Sequence, residues 1–304
     1  MIKSASVKAR LKQLADRENR TFDSLLMYYF VERLLYRLSI SDYADHFILK
    51  GGLLLYSILG NNARSTRDVD FLARHISSLP EEITSVFGSI CAIEAEDAVR
   101  FDLSSLSAEP IRETSVYEGL RIKITAYLDK SRHVMQLDIG FGDIVIPEPV
   151  FMDYPSLLDN NSFRIHAYSR ESVVAEKFEA MLSLAELNSR MKDFYDVYML
   201  SRAYDFNGEL LQEAVHQTLQ RRKTPLPDSP TIFSDAFSQA KDKHIQWQAF
   251  QKHIRNADDL TLADVLGGIY IFLHPIYSAI LAGSNMKMLW DCFDSSWKNK
   301  LFNP

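Results

Sequence analysis

The chain is short of cysteine, of long uncharged apolar runs and of excess positive charge, and each shortage excludes a class of protein. Its two cysteines, Cys91 and Cys292, lie far apart in the sequence. They support neither a disulfide framework nor a zinc site, and they fit a reducing compartment. No segment is expected to reach the ~18 apolar residues of a membrane span, because the best stretch, Leu260 to Ala282, contains Asp264 and Pro275. The start, Met1-Ile2-Lys3-Ser4-Ala5, runs into Lys8, Arg10 and Lys12 with no apolar export core behind it. The expectation is a soluble cytoplasmic protein with no membrane partner. With 34 Lys and Arg against 40 Asp and Glu, the formal charge is −6. That excludes a uniformly basic nucleic-acid coat but not a local basic groove. The eight histidines show no ligand spacing, and neither a Ser/His/Asp hydrolase signature nor a dinucleotide Gly-x-Gly-x-x-Gly occurs.

What is present is a chain of 304 residues, 47% hydrophobic and 24% charged, enough for a sizeable core and for two domains. Phe22, Leu25, Leu26, Tyr29, Leu34, Leu35 and Leu38 recur at helical spacing and predict a helix over Phe22–Leu38. Phe47 to Leu59 predicts a short helix beginning at Gly51-Gly52, Asp68 to Leu72 a strand, and Pro80 to Ile93 a helix with Pro80 in its first turn. Residues 98–168 have the texture of strands. Ile122, Ile124, Ala126 and Leu128 alternate with Arg121, Lys123, Thr125 and Tyr127, and a turn over Asp129 to Arg132 leads into a hairpin partner, His133 to Ile139. Phe163 to Tyr168 reads as another strand. Beyond Ser169 the chain reads as helical almost to its end, apart from the proline-rich break from Thr224 to Pro230. The fold class predicted is α+β, with a mixed-sheet domain over 1–168 and a helical domain over 169–304.

The chemistry gathers around Lys50-Gly51-Gly52 and Asp68-Val69-Asp70. Two aspartates one residue apart on a strand point the same way, so their carboxylates can converge on divalent cations. The bland reading is a strand end capped by solvated acids. The glycines offer backbone amides at a helix start, where phosphate is favoured, or form a plain turn. Thr66 adds a hydroxyl, and Arg64 or Arg67 a cation. Asp138 shares a strand face with Gln136 and Val134, opposite Met135, Leu137 and Ile139. An acid there is costly unless paired or metal-bound. Three such acids suit phosphoryl or nucleotidyl transfer with two metal ions. On the later helices, Lys177 flanks Val173, Ala180 and Leu184, and Asp193 lines up with Val197 and Leu200. These two form either a buried ion pair that sets helix register or a lysine aimed at a triphosphate and steadied by an acid. Lys192 and Asp196 read as a surface i,i+4 pair, and Arg221-Arg222-Lys223 as a solvated helix end. Arg121 and Lys123 are the better RNA-contacting candidates. Tyr28-Tyr29-Phe30 and the three tryptophans read as core or domain-interface aromatics.

The ordered set Lys-Gly-Gly, Arg64-x-Thr66-x-Asp68-x-Asp70, Gln136-x-Asp138, Glu176-Lys177-Phe178-Glu179-Ala180 and Arg190-x-Lys192-Asp193-x-x-Asp196 resembles the AbiEii/AbiGii-type toxins over residues 46–202. These are nucleotidyltransferase-like proteins of abortive-infection and MenT-type toxin–antitoxin systems. The resemblance implies a polymerase-beta-like nucleotidyltransferase core with a helical domain, and use of Mg²⁺, two ions, with an NTP. It implies NMP transfer to the 3′ end of tRNA, which blocks translation, and an antitoxin partner of the winged-helix repressor type. By the same resemblance Asp68, Asp70 and Asp138 are metal ligands, with Lys177 and Asp193 the remaining catalytic pair. Gly51, Gly52, Arg64, Thr66 and Lys177 would bind the nucleotide. Thr66 stands where serine is common, and the interval from Gly52 to Asp68 is long. The alternatives are transfer to a protein hydroxyl or to the antitoxin itself, and a non-catalytic nucleotide-binding interaction module.

Overall fold

The alternation over residues 120–139 becomes the second and third strands of a seven-stranded mixed sheet in a computed structural model. The structure describes residues 3–111, 119–158, 162–252, 254 and 259–299. The strands are β1 (Phe47–Lys50), β2 (Val69–Ala73), β3 (Arg100–Pro110), β4 (Gly119–Leu128), β5 (Ser131–Phe141), β6 (Val150–Tyr154) and β7 (Phe163–Ala167), in the order β3-β4-β5-β2-β1-β7-β6. β2 runs parallel to β5, and β1 parallel to β7. The other neighbours are antiparallel. The chain divides into two compact units, and all seven strands belong to the first. The first is Met1–Ser57, Thr66–Gly142 and Val150–Ala167; the second is Ile58–Ser65, Asp143–Pro149 and Tyr168–Pro304. The second unit therefore takes in two short segments from the region read as the first domain.

In the first unit, β4 and β5 bury one face and leave the other open. Ile122, Ile124, Leu137 and Ile139 are fully buried, whereas Arg121, Lys123, Gln136 and Asp138 lie on the partly exposed side. Helices α1 (Ser4–Glu18), α2 (Phe22–Ser39), α3 (Gly51–Leu59) and α4 (Pro80–Ala92) supply the rest of this core. α2 starts where the Thr21 hydroxyl accepts the Ser24 N–H at 3.2 Å. It is buried nearly all round, as an interior helix must be when its apolar residues exceed one stripe. Its one deep cation is satisfied: Arg37 forks onto Asp97 (2.6 and 3.1 Å) and reaches the carbonyls of Ile93 and Val99.

The second unit holds α5 (Arg170–Leu184), α6 (Met191–Ala203), α7 (Gly208–Arg222), α8 (Asp235–Gln239), α9 (Lys241–Gln251) and α10 (Leu262–Leu281). It is not helical to its end. Residues Phe206–Asn207 (β8), Met288–Asp291 (β9) and Ser296–Asn299 (β10) form a small antiparallel sheet. The hairpin forms because Trp290 and Trp297 pack as a pair on Phe272, and the Trp290 indole N–H donates to the Ser201 carbonyl at 2.7 Å. The expected interruption of residues 260–282 is also corrected. Asp264 is the N3 member of a capping box with Thr261, and Pro275 lies inside one continuous helix. Among the described residues α10 is long and apolar enough to cross a membrane by length and composition alone. Val265, Leu266, Ile269, Phe272, Leu273 and Ile276 recur at helical spacing on its buried face.

Candidate active site

Register decides where the acids meet. Asp70 on β2 lies directly across from Asp138 on the parallel strand β5, so the two Cα atoms are about 5 Å apart with side chains on one face. Asp68 precedes β2, which begins at Val69. Its charge, added to that of Asp138, favours the protonated Arg121 guanidinium. The first unit thus brings Asp70 and Asp138 together on one side of its sheet, with Asp68 just ahead of β2. Among the described residues no three Asp, Glu, His or Cys side chains stand as a ready-made metal cluster. The donor set still has the character a hard divalent ion requires: carboxylate oxygens alone, on adjacent strands. Both oxygens of Asp138 are engaged by Arg121, at 2.9 and 2.8 Å. Arg121 and Lys123, the cations expected to contact RNA, both pair with acids of their own sheet; Lys123 meets Glu109 at 2.5 Å.

Gly51 shapes the same spot. It begins α3 with φ +67, and a Cβ built on it would fall 1.9 Å from Asp70 Oδ2 and 2.6 Å from its Cγ. The carboxylate of Asp70 occupies the space a side chain at 51 would take, at the end of a helix whose first amides favour an anion. Gly51→Ala is accordingly expected to be destabilising by about 2–4 kcal/mol, from positive-φ strain plus overpacking. It should also displace Asp70. Thermal unfolding and nucleotide-transfer assays on the same variant check both effects, and wild-type behaviour in both would remove the cradle.

Thr66 is held from two sides. Its N–H donates to the Tyr28 hydroxyl at 3.1 Å, and its own hydroxyl donates to the Asp68 carbonyl at 3.4 Å. Tyr28 stacks on Tyr56 of α3 (4.6 Å), and Arg20 lies over Tyr28 while donating to the Tyr56 hydroxyl at 2.6 Å. Tyr28 is a core aromatic, one of the two settings its sequence predicts, and Arg20 is a partner that the sequence pattern does not reveal. The missed signal was a run of aromatics whose polar ends need partners once buried.

In the second unit Lys177 and Asp193 meet as expected, and more deeply. Lys177 Nζ lies 2.8 Å from Asp193 Oδ1 and 2.8 Å from Asp196 Oδ2. Arg64 Nε reaches Asp196 Oδ2 at 3.2 Å, and Arg190 Nε stands 2.8 Å from Asp193 Oδ2, off the hydrogen-bond axis. The Lys192–Asp196 surface pair is corrected: Asp196 is 1% exposed and faces Lys177. Arg64 is spent on Asp196 in this arrangement. Burial alone would raise the Asp193 carboxyl, but the Lys177 and Arg190 charges outweigh it and hold the group below its usual range. Burial likewise pushes the Lys177 ammonium down, and Asp193 and Asp196 more than reverse this. The sign follows for each group. Asp193, lowered, contributes stability above about pH 4 that is lost as pH falls through its folded value; Lys177, raised, contributes below about pH 10.5 and loses it as pH rises further. Asp193→Asn should therefore be less stable than wild type by a constant margin from about pH 5 to 9, and the two melting curves should converge below about pH 4. A margin that stays constant into acid would deny the pairing.

Arg222 also departs from expectation. It is a half-buried member of an ion network, 2.8 Å from Glu179, 3.1 Å from Asp143 and 3.5 Å from Glu176, and not a solvated helix end like its exposed neighbours. The Thr224 hydroxyl completes Glu179 at 2.6 Å. Lys223 ends α7 in the left-handed conformation.

With the acids, the glycine cradle and the lysine network described, comparison with known families decides the chain's kinship. The family model described as nucleotidyl transferase AbiEii toxin, type IV toxin–antitoxin system, matches residues 33–267. The chain belongs to the AbiEii toxin family. This AbiEii protein is thus a member of a nucleotidyltransferase toxin family, and its α+β architecture is a mixed sheet flanked by helices. Among solved structures it is similar to a candidate nucleotidyltransferase from H. pylori at 13% identity and TM-score 0.49, over 87% of this chain and 99% of that one. It is also similar to JHP933 from Helicobacter pylori at 14% identity and TM-score 0.42, over 79% of this chain and 96% of that one. No curated protein matches the chain significantly.

Proposed function

We propose that this AbiEii protein transfers NMP from a magnesium-bound NTP to the 3′ end of tRNA and so blocks translation and growth. The observation that carries the reading is the in-register pair Asp70–Asp138, with Gly51 leaving room for the Asp70 carboxylate. Asp68, Asp70 and Asp138 would hold the metal, which when bound supplies Lewis-acid charge on phosphate oxygens. The first amides of α3 at Gly51 and Gly52 and the Thr66 hydroxyl would hold the nucleotide's phosphates. In the step itself the acceptor hydroxyl oxygen bonds to the α-phosphorus. The bond from that phosphorus to the bridging oxygen breaks, pyrophosphate leaves with the electron pair, and the hydroxyl proton is released. Lys177 spends two N–H donors on Asp193 and Asp196, and its third is the one available for a phosphate. Arg64 would have to leave Asp196 to do the same. A cognate antitoxin, of the winged-helix repressor type, is the proposed protein partner.

The test is incubation of the protein with each α-labelled NTP, Mg²⁺, total tRNA and a protein fraction, followed by separation of the pools. Label in tRNA is expected. Label confined to protein would move the acceptor to a protein hydroxyl or the antitoxin, and no magnesium-dependent transfer would sink the enzyme reading.

A further inference from the structure

The carboxylates of the first unit share their sheet face with a cation. Across the strands the row runs Glu109 on β3, Arg121 on β4, Asp138 on β5 and Asp70 on β2, each directly opposite the next. Arg121 forks onto Asp138, Nε to Oδ1 at 2.9 Å and Nη2 to Oδ2 at 2.8 Å, while Gln136 Nε2 stands 3.4 Å from the same Oδ1. The Asp138 hydrogen bonds, with the Asp68 and Glu109 charges behind them, hold the guanidinium firmly protonated. A monovalent cation therefore sits at the very carboxylate that the reading above gives to a divalent one, and the two cannot share both oxygens at once.

We propose that Arg121 is a built-in counter-ion that occupies Asp138 while nucleotide is absent and yields it when the metal-bound NTP arrives. The inference rests on the proposed metal role of Asp138. Two acids side by side on one face repel one another in the absence of a metal, and a bidentate guanidinium offsets that charge and fixes Asp138 in orientation. The pair is exchangeable: the side chains of Arg121 and Asp138 are 34% and 22% exposed, so water assists the separation. Lys123, next on the same face of β4, is engaged with Glu109 and does not stand in for it. A displaced guanidinium matches the oxygens of a phosphate, which offers Arg121 a new partner as it leaves the old one. Metal and nucleotide binding are thereby coupled through one side chain, and Arg121 acts as a positioning residue.

Mn²⁺ titration of the full chain, followed by the free-ion paramagnetic resonance signal with and without a non-hydrolysable NTP analogue, tests this. Without nucleotide, Arg121→Met is expected to bind Mn²⁺ about 10-fold tighter than wild type. The analogue should tighten Mn²⁺ binding less in the variant than in wild type. Arg121→Lys keeps the charge but loses the fork, should fall between the two, and serves if the Met variant does not fold. Mn²⁺ affinity unchanged or weakened in these variants, while Asp70→Asn abolishes binding, overturns the counter-ion role and leaves the catalytic reading standing. Indifference of Mn²⁺ binding to Asp70→Asn and Asp138→Asn as well overturns both.

Discussion

Asp70→Ala is expected to lower nucleotide transfer by about 10³-fold or more, roughly 4 kcal/mol at the transition state, while the protein melts within a few degrees of wild type. Two features of the residue combine to give that effect. It is the acid in register with Asp138, so its loss removes half of the only cross-strand carboxylate pair the reading relies on. It also fills the space above the Cα of Gly51, so alanine leaves the fold a small void and no clash. Relief of repulsion between neighbouring acids offsets part of the lost packing. Transfer measured with α-labelled NTP, beside a circular-dichroism melt, checks the pair of outcomes. Full transfer by a folded Asp70→Ala protein would remove Asp70 from the chemistry.

The largest stability effect is expected at Lys177. Its ammonium is the shared cation of two acids that are 2% and 1% exposed. Lys177→Ala leaves Asp193 to Arg190 and Asp196 to Arg64 alone, and removing the shared cation of a buried cluster costs up to about 3–5 kcal/mol, on the order of 10 °C in melting temperature for a chain of this size. Adding Asp193→Asn should recover part of the loss, because it removes one under-neutralised buried charge and releases only Arg190, whose side chain is 49% exposed. A single variant that melts like wild type, or a double variant with no recovery, would contradict the arrangement. The consequence for activity is specific. Inactive Lys177→Ala protein by itself would not mark a phosphate ligand, so its transfer rate has to be read at a temperature where it is folded.

The parts of this protein legible in the sequence are those set by short-range periodicity. Period two placed Asp138 opposite Met135, Leu137 and Ile139, which are buried as that alternation requires. Helical spacing over residues 22–38 and 80–93 anticipated α2 and α4 to within a residue or two. The same spacing put Lys177 and Asp193 on apolar faces of their helices, where the two meet.

The misreadings share one cause. Lys192 and Asp196 fit an i,i+4 pair on a single helix, but Asp196 turns to Lys177 and Arg64, which come from elsewhere in the chain. Arg222 resembled a solvated helix end until Asp143, Glu176 and Glu179 surrounded it. The Arg121–Asp138 pair went unread because the partner lies on the neighbouring strand, and hairpin register alone sets the two opposite each other. The β9–β10 hairpin is too short for its pattern to stand out, and the Trp290–Trp297–Phe272 contact holds it.

Side-chain type and local spacing were enough to say which residues carry charge and which face of its own element each occupies, since backbone geometry repeats every two or 3.6 residues. Which charges neutralise one another was decided only by the tertiary structure. An ion pair forms between groups brought within a few ångströms, and strand order, register and helix packing set those distances without leaving a trace in sequence spacing.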